Sequence, residues 1–214
     1  MAFRSPAGSA RELEAELRAK GFDDERVLAA LVAVPRERFV PDEHAAAAWR
    51  DRALPLPSGQ SISQPYVVAT MCAAAELTAG SKVLEVGTGW GYQAAVLGQL
   101  AREVVSLERV PTLAAEARRR LAELGVENVR VFERDGWLGW PESAPFDAIV
   151  VAAAAEHVPE ELVRELAEGG RLVLPLGVED QHLIVLRRTP TGLARRELYP
   201  VRFVPLVRAS PSTR

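Results

Sequence analysis

The chain has 214 residues, 48% of them hydrophobic and 26% charged, with a formal net charge of -3. That composition suits one α/β domain with a modest extension, and its near-neutral balance argues against dedicated nucleic-acid binding, for which a basic surface is expected. No apolar run has the length of a membrane span, the N-terminus lacks a signal-peptide core, and the single Cys72 excludes an internal disulfide or a cysteine-based zinc site, so a cytoplasmic location is expected.

Within residues 9 to 20, Leu13 and Leu17 stand at a helical spacing of four, and Gly21 ends that helix. Asp23 or Asp24 can cap a second helix with Val27, Leu28 and Leu31 on its apolar face and Pro35 closing it. From Pro41 to Gln64 the mixture of Pro, Ser and Gly reads mostly as loop, apart from the helix-prone Ala45 to Ala48. Pro65 suits the first turn of a helix running to Leu77. Strands are then predicted near 82–86, 103–107, 128–132, 147–151 and 171–175, with helices near 91–100, 111–124 and 158–167. Such alternation demands crossover connections and a mostly parallel sheet. After Pro175 the pattern changes. Leu183 to Leu186 and Leu198 to Val207 are β-like around a turn at Thr191-Gly192, which predicts an antiparallel edge.

The most informative stretch is Val83-Leu84-Glu85-Val86-Gly87-Thr88-Gly89-Trp90-Gly91-Tyr92. A strand, a Gly-rich turn and a helix build a nucleotide site at the carboxyl end of the first strand of an open α/β sheet. The next apolar run ends in Glu108, about 20 residues past the first Gly, the separation for an acid that grips ribose hydroxyls. A dinucleotide fingerprint reads G-x-G-x-x-G, but here its third Gly would fall on Tyr92, while Gly91 comes one residue early. G-x-G-x-G after a strand bearing Glu85 resembles the first motif of S-adenosylmethionine-dependent methyltransferases. Without Glu108, a tight turn holding no ligand would explain the glycines as well.

Further stretches carry a more specific resemblance: Ser61-Ile62-Ser63-Gln64-Pro65-Tyr66, Gly91-Tyr92-Gln93-Ala94-Ala95, Ser106-Leu107-Glu108-Arg109, Asp135-Gly136-Trp137, Ala144-Pro145-Phe146-Asp147-Ala148-Ile149, Gly169 to Gly177, and Val201-Arg202-Phe203-Val204-Pro205-Leu206. Over residues 22 to 208 the chain resembles the bacterial protein-L-isoaspartate O-methyltransferases. The resemblance implies a Rossmann-like α/β methyltransferase sheet, mostly parallel with a reversed last strand, plus N-terminal helices. It implies a helical extension and substrate-side loop over 1–64 and a methyltransferase domain over 65–214, packed as one compact unit. The implied reaction moves a methyl group from S-adenosylmethionine to the free α-carboxylate of an L-isoaspartyl residue, leaving S-adenosylhomocysteine and requiring no metal. The ester then closes to a succinimide, and hydrolysis returns part of the residue to aspartate. Damaged proteins and peptides are the implied partners of a monomer that engages neither nucleic acid nor membrane.

Residue by residue, the resemblance puts Ser63 beside the transferring methyl. On its own, Ser63 reads better as a helix cap two residues before Pro65, and the Ser61-Ile62-Ser63-Gln64-Pro65 block reverses that preference. Gly87, Gly89 and Gly91 would admit the cofactor backbone-close, Glu85 would order that loop through its amides, and Glu108 would accept from the ribose diol. Asp135 and Gly136 fall where the family contacts the adenine, although an Asp before a Gly is also ordinary turn chemistry. Ser61, Gln64, Ala152 and Val204 are the implied substrate-side residues, with Gln60 a weaker one. His157 lies just past the fourth strand and reads as a surface or capping residue. Trp90 and Ala152 depart from the family pattern, which has a small hydroxyl residue and a Thr there.

The chemistry suits this residue set. A carboxylate with a pKa near ~4 is already ionised at neutral pH and needs no general base. Positioning it in line with the methyl can contribute on the order of 7–11 kcal/mol. Rival readings are a small-molecule methyltransferase on the same fold, and a non-catalytic S-adenosylmethionine sensor. A nucleic-acid methyltransferase would carry an Asn-Pro-Pro or Asp-Pro-Pro motif where Ala152 to Ala155 stand, or a Pro-Cys nucleophile where Met71 precedes Cys72.

Overall fold

The computed structural model describes residues 9–208. Helix α1 (Ala10–Ala19) begins with a capping box. The Ser9 hydroxyl accepts from the Glu12 amide, and the Glu12 carboxylate accepts from the Ser9 amide. In α2 (Glu25–Ala33) the cap is Asp24, whose Oδ1 accepts from the amides of Arg26 and Val27. The predicted apolar faces, Leu13 and Leu17 on α1 and Val27, Leu28 and Leu31 on α2, are buried.

Arg36–Phe39 and Asp42–Ala47 follow as 3-10 turns, so the alanine tract ends a tighter helix than its composition suggests. Two short strands, β1 (Leu54–Pro55) and β2 (Ser61–Ile62), pair antiparallel and give the expected loop a fixed core. Helix α3 (Pro65–Ala74) stops short of Leu77 because Glu76 turns left-handed, at φ 47°.

The alternating elements are β3 (Lys82–Val86), α4 (Tyr92–Leu100), β4 (Glu103–Glu108), α5 (Pro111–Glu123), β5 (Val129–Glu133), β6 (Phe146–Val151), α6 (Glu160–Arg164), β7 (Leu166–Leu176), β8 (Gln181–Thr189) and β9 (Gly192–Val201). They build one seven-stranded sheet in the order β5-β4-β3-β6-β7-β8-β9. Pairs from β5 to β7 are parallel, and the last two pairs are antiparallel. The sheet is therefore the mostly parallel one expected, with an antiparallel edge. The reversed strand is the penultimate β8; β9 folds back on it through Pro190-Thr191 and again runs with β7. The predicted helix over 158–167 shrinks to the five residues of α6, because the chain re-enters the sheet at Leu166 opposite Phe146.

Alternate residues of each central strand face opposite layers, as strand geometry requires. Val83, Val104, Ala148 and Val173 face a layer shared with α1 through α5. Leu84, Val105, Ile149 and Leu172 face a thinner layer with Trp137, Leu162 and Leu166. Successive crossovers leave β3 toward β4 on one side, while β6 lies on the other. Such a switch point leaves a crevice at the carboxyl ends of these strands.

Candidate active site

A cleft opens at that switch point. One wall is the turn after β3, where Gly87, Gly89 and Gly91 have φ of 92°, 57° and 99°; Gly87 and Gly89 line the cleft, whereas Gly91 is not among the lining residues and a Cβ there would meet Ala117 and Leu121 of α5. Side chains rarely adopt those angles, so the alternation of glycines follows from the backbone path. Glu108, at the end of the neighbouring strand, is 6% exposed and lines the cleft. Its Oε2 accepts from the Gly89 amide at 2.9 Å and its Oε1 from the Val110 amide at 3.0 Å. Each carboxylate oxygen has a second lone pair, so the same group can brace the turn and still receive two hydroxyl donors.

Glu85 stands elsewhere than expected. Its side chain is fully buried and does not line the cleft. The Ser106 hydroxyl donates to Glu85 Oε2, and Thr88 Oγ1 bonds Ser106 Oγ, so Glu85 reaches the turn through two hydroxyls rather than through amides. Burial pushes its pKa up to about 8, against the pull of the Ser106 bond. The amide-bracing role belongs to Glu108. Asp135 Oδ1 caps the short turn Gly136–Leu138 through the Trp137 amide, and its side chain is not part of the lining. Gly136 does line the cleft, and a Cβ there would lie 2.1 Å from Val86 Cγ1.

Gln60, Ser61, Ile62 and Ser63 form the facing wall. Ser63 is half-buried, and its hydroxyl has no hydrogen-bond partner among the described residues. It is not the cap of α3. Asp51 does that from 15 residues upstream, its Oδ1 accepting from the Tyr66 amide at 2.7 Å. Gln64, expected on the substrate side, turns away instead. Its Nε2 donates to Asp51 Oδ2 at 2.9 Å. A second residue unforeseen from the sequence lies behind this wall: Arg36, 0% exposed, donates to the carbonyls of Ala48, Arg52 and Ser63. Burial lowers its pKa to about 10, which leaves it charged at neutral pH. Arg36 opens the charged run Arg36-Glu37-Arg38, so nothing in the sequence marks it as buried, and exposure is the default expectation for Arg.

Ala152, Ala153 and the strap Phe203 to Val207 complete the lining. Val204 carbonyl accepts from the Ala154 amide at 2.8 Å, and the Leu206 amide donates to Ala154 at 2.7 Å. Gln181 brackets Phe203, accepting from its amide and donating to its carbonyl. Trp90 lines the cleft with the Arg120 guanidinium 3.9 Å from its ring centroid. His157 is exposed, packs on Trp137 at 5.1 Å between ring centroids, and is not among the lining residues. The titratable side chains of the lining are Glu108, Arg109 and Tyr92, the last with its pKa pushed further up by burial. Among the described residues no His, Cys, Asp and Glu gather as a metal-ligand group.

The cleft fits an S-adenosyl group on its own geometry. The glycines at 87 and 89 let a ligand lie against the backbone, and a nearly buried carboxylate beside them suits a vicinal diol. Comparison with known proteins agrees. The family described as Protein-L-isoaspartate(D-aspartate) O-methyltransferase (PCMT) matches residues 9–210. A protein-L-isoaspartate O-methyltransferase of Gloeobacter violaceus is 52% identical over 93% of this chain and 98% of its own length. One from Erwinia tasmaniensis is 48% identical over 94% and 97%. A solved Plasmodium falciparum protein described as a protein-L-isoaspartate O-methyltransferase, in complex with S-adenosyl-L-homocysteine, superposes with a TM-score of 0.83 at 25% identity, over 94% of this chain and 99% of that one. The chain belongs to the protein-L-isoaspartate(D-aspartate) O-methyltransferase family.

Proposed function

We propose that the glycine wall and Glu108 hold S-adenosylmethionine, with Gly136 beside the adenine, and that Ser63 meets the substrate carboxylate. The activity is methyl transfer from S-adenosylmethionine to the free α-carboxylate of L-isoaspartyl residues in proteins and peptides, which starts their repair through a succinimide. One observation carries the division of labour. The lining offers no group poised to take a proton near neutrality: Glu108 is engaged by two amides, Arg109 is a cation, and Tyr92 is held neutral. Such a site suits a nucleophile that arrives already ionised, as a carboxylate does.

Bound there, S-adenosylmethionine supplies an activated methyl on a sulfonium that leaves without acid assistance. The chain's own residues bind, orient and exclude water. Glu108 accepts from the ribose diol while keeping the turn closed through Gly89. The Ser63 hydroxyl donates to the substrate carboxylate and fixes which oxygen faces the methyl. Leu56, Ile62, Phe203 and Val204 give the cleft an apolar lining that limits competing water. Ser61 and Ala152 border the same space and are the nearest substrate-side neighbours of Ser63 in this reading. We read residues 1–64 as the substrate-side extension of the methyltransferase unit 65–214; among the described residues, one apolar cluster spans both. We take the active form to be a cytoplasmic monomer, since one chain supplies both walls and engages neither nucleic acid nor membrane in this mechanism.

The test is incubation with labelled S-adenosylmethionine and two peptides that differ only in Asp against isoAsp. Label entering the isoAsp peptide alone is the expected result. Cofactor binding without label in either peptide would leave the small-molecule enzyme or the sensor.

A further inference from the structure

We propose that Arg36 and Asp51 are positioning residues for Ser63, clamping the arm Gln60 to Tyr66 from the side away from the cleft. The proposal rests on the reading of Ser63 as the residue that meets the substrate carboxylate. Four restraints converge on this short arm. Ile62 is paired in register with Leu54. The Ser63 carbonyl receives Arg36 Nη2 at 2.9 Å. The Gln64 side chain is tied to Asp51 Oδ2, and the Tyr66 amide to Asp51 Oδ1. Ser63 thus has its backbone held on both sides while its hydroxyl is left unbonded at the cleft.

Both pins are charged, and both are out of solvent: Arg36 is 0% exposed, and so is the side chain of Asp51. Burying such charges is unfavourable unless their bonds are all well made, and well-packed apolar residues of similar volume would often serve stability as well. What apolar residues cannot do is select three carbonyls from positions 48, 52 and 63 and fix their mutual placement. The forked guanidinium does that, with a geometry that an ammonium lacks. Arg36 also lies 5.4 Å from the centroid of the Tyr92 ring. Tyr92 opens α4 directly after the glycine turn, so the same side chain references the Ser63 arm to the opposite wall. Lys20, at the end of α1, closes the set by pairing with Asp51 Oδ2 at 2.6 Å.

The test combines Arg36→Lys and Asp51→Asn, each alone and each with Ser63→Ala. Four quantities are read: single-turnover methylation, KM for an isoaspartyl peptide, S-adenosylmethionine affinity, and hydrogen exchange of the amides in 60–66. Misplacement by about 1 Å can cost on the order of a hundredfold in rate. Because each acts only through the Ser63 hydroxyl, each single variant is expected to lose up to about tenfold in kcat, no more than Ser63→Ala itself, with KM and cofactor affinity within about threefold. Added to Ser63→Ala, each should slow turnover by less than about twofold, because its effect passes through a hydroxyl already removed. The 60–66 amides should exchange faster in both. Losses that multiply with Ser63→Ala, or unchanged kcat and exchange, overturn the clamp. Full turnover in Ser63→Ala alone would overturn the Ser63 reading instead, and unchanged exchange would still overturn the clamp separately. If Arg36→Lys does not fold, Asp51→Asn, an isosteric change, runs the same cycle.

Discussion

The two walls of the cleft are held by different means. The glycine wall stands on the parallel sheet. β3 and β4 are in register from Lys82 with Glu103 to Val86 with Leu107, which delivers Glu108 beside Gly89 with no further device. The Ser63 wall has only a two-pair ladder and takes its place from side chains at positions 36 and 51. The first wall is a local consequence of strand, turn and helix. The second exists only once the N-terminal helices have packed. Changes to the first should therefore act on cofactor affinity, and changes to the second on turnover.

The largest effect expected on that division comes from Glu108→Ala. It removes the acceptor for the Gly89 and Val110 amides together with the proposed ribose contact. Affinity for S-adenosylmethionine should weaken by roughly 1.5–3 kcal/mol, the range for hydrogen bonds to a charged group. Calorimetry reads this directly, and unchanged affinity would mean that the ribose is held elsewhere and that the walls are not specialised as described.

Ser63→Ala should show the opposite pattern, with turnover lower by about tenfold, near 1.4 kcal/mol, and cofactor affinity intact. Stability should hardly move, because the α3 cap is Asp51. Asp51→Ala is the variant that should cost about 0.5–2 kcal/mol as a lost cap. A fall in melting temperature for Ser63→Ala with full activity would return Ser63 to a structural role.

The same contrast decides what could be read from the chain. The strands, the glycine turn and Glu108 are legible because their signals lie within about 25 residues and repeat with strand or helix period. Ser61 and Ser63, which line the cleft, are marked by a motif, but what holds them is not. Arg36 and Asp51 act across 27 and 15 residues, through a carbonyl and an amide that carry no residue identity. Gln64 departs from its expected substrate side for the same reason: its partner Asp51 leaves no mark in the adjacent residues. Glu85 stands on the expected strand but bonds the Ser106 hydroxyl of β4 rather than the turn amides, and no residue adjacent to Glu85 marks that partner.

Beneath the glycine wall, Glu85 makes stability depend on pH. Its folded pKa is raised to about 8 from an ordinary value of 4.5, chiefly by burial. The unfolded chain releases that proton first. Its contribution is therefore complete below the ordinary value and is lost as pH rises through the folded one. Urea unfolding from pH 5 to 9 should show a decline that Glu85→Gln flattens by about one proton, a slope near 1.4 kcal/mol per pH unit at most. Parallel slopes in the two proteins would show that Glu85 is ionised in the fold.

The smallest effect belongs to His157, and its smallness is the prediction. Were a general base needed, this histidine just past β6 would be the candidate, and His157→Ala would abolish methyl transfer and remove an ionisation near ~6.5 from the rate profile. The structure puts its ring in solvent against Trp137 and outside the lining on either wall. A carboxylate nucleophile held by Ser63 requires no proton to be removed, so the variant should keep most of its single-turnover rate, with a profile nearly flat above the substrate's own pKa. Reactions must be stopped early, because loss of the labile methyl ester at high pH imitates a falling rate. A variant that folds, binds S-adenosylmethionine and transfers nothing would return proton abstraction to the mechanism and put the facing role of Ser63 in question with it.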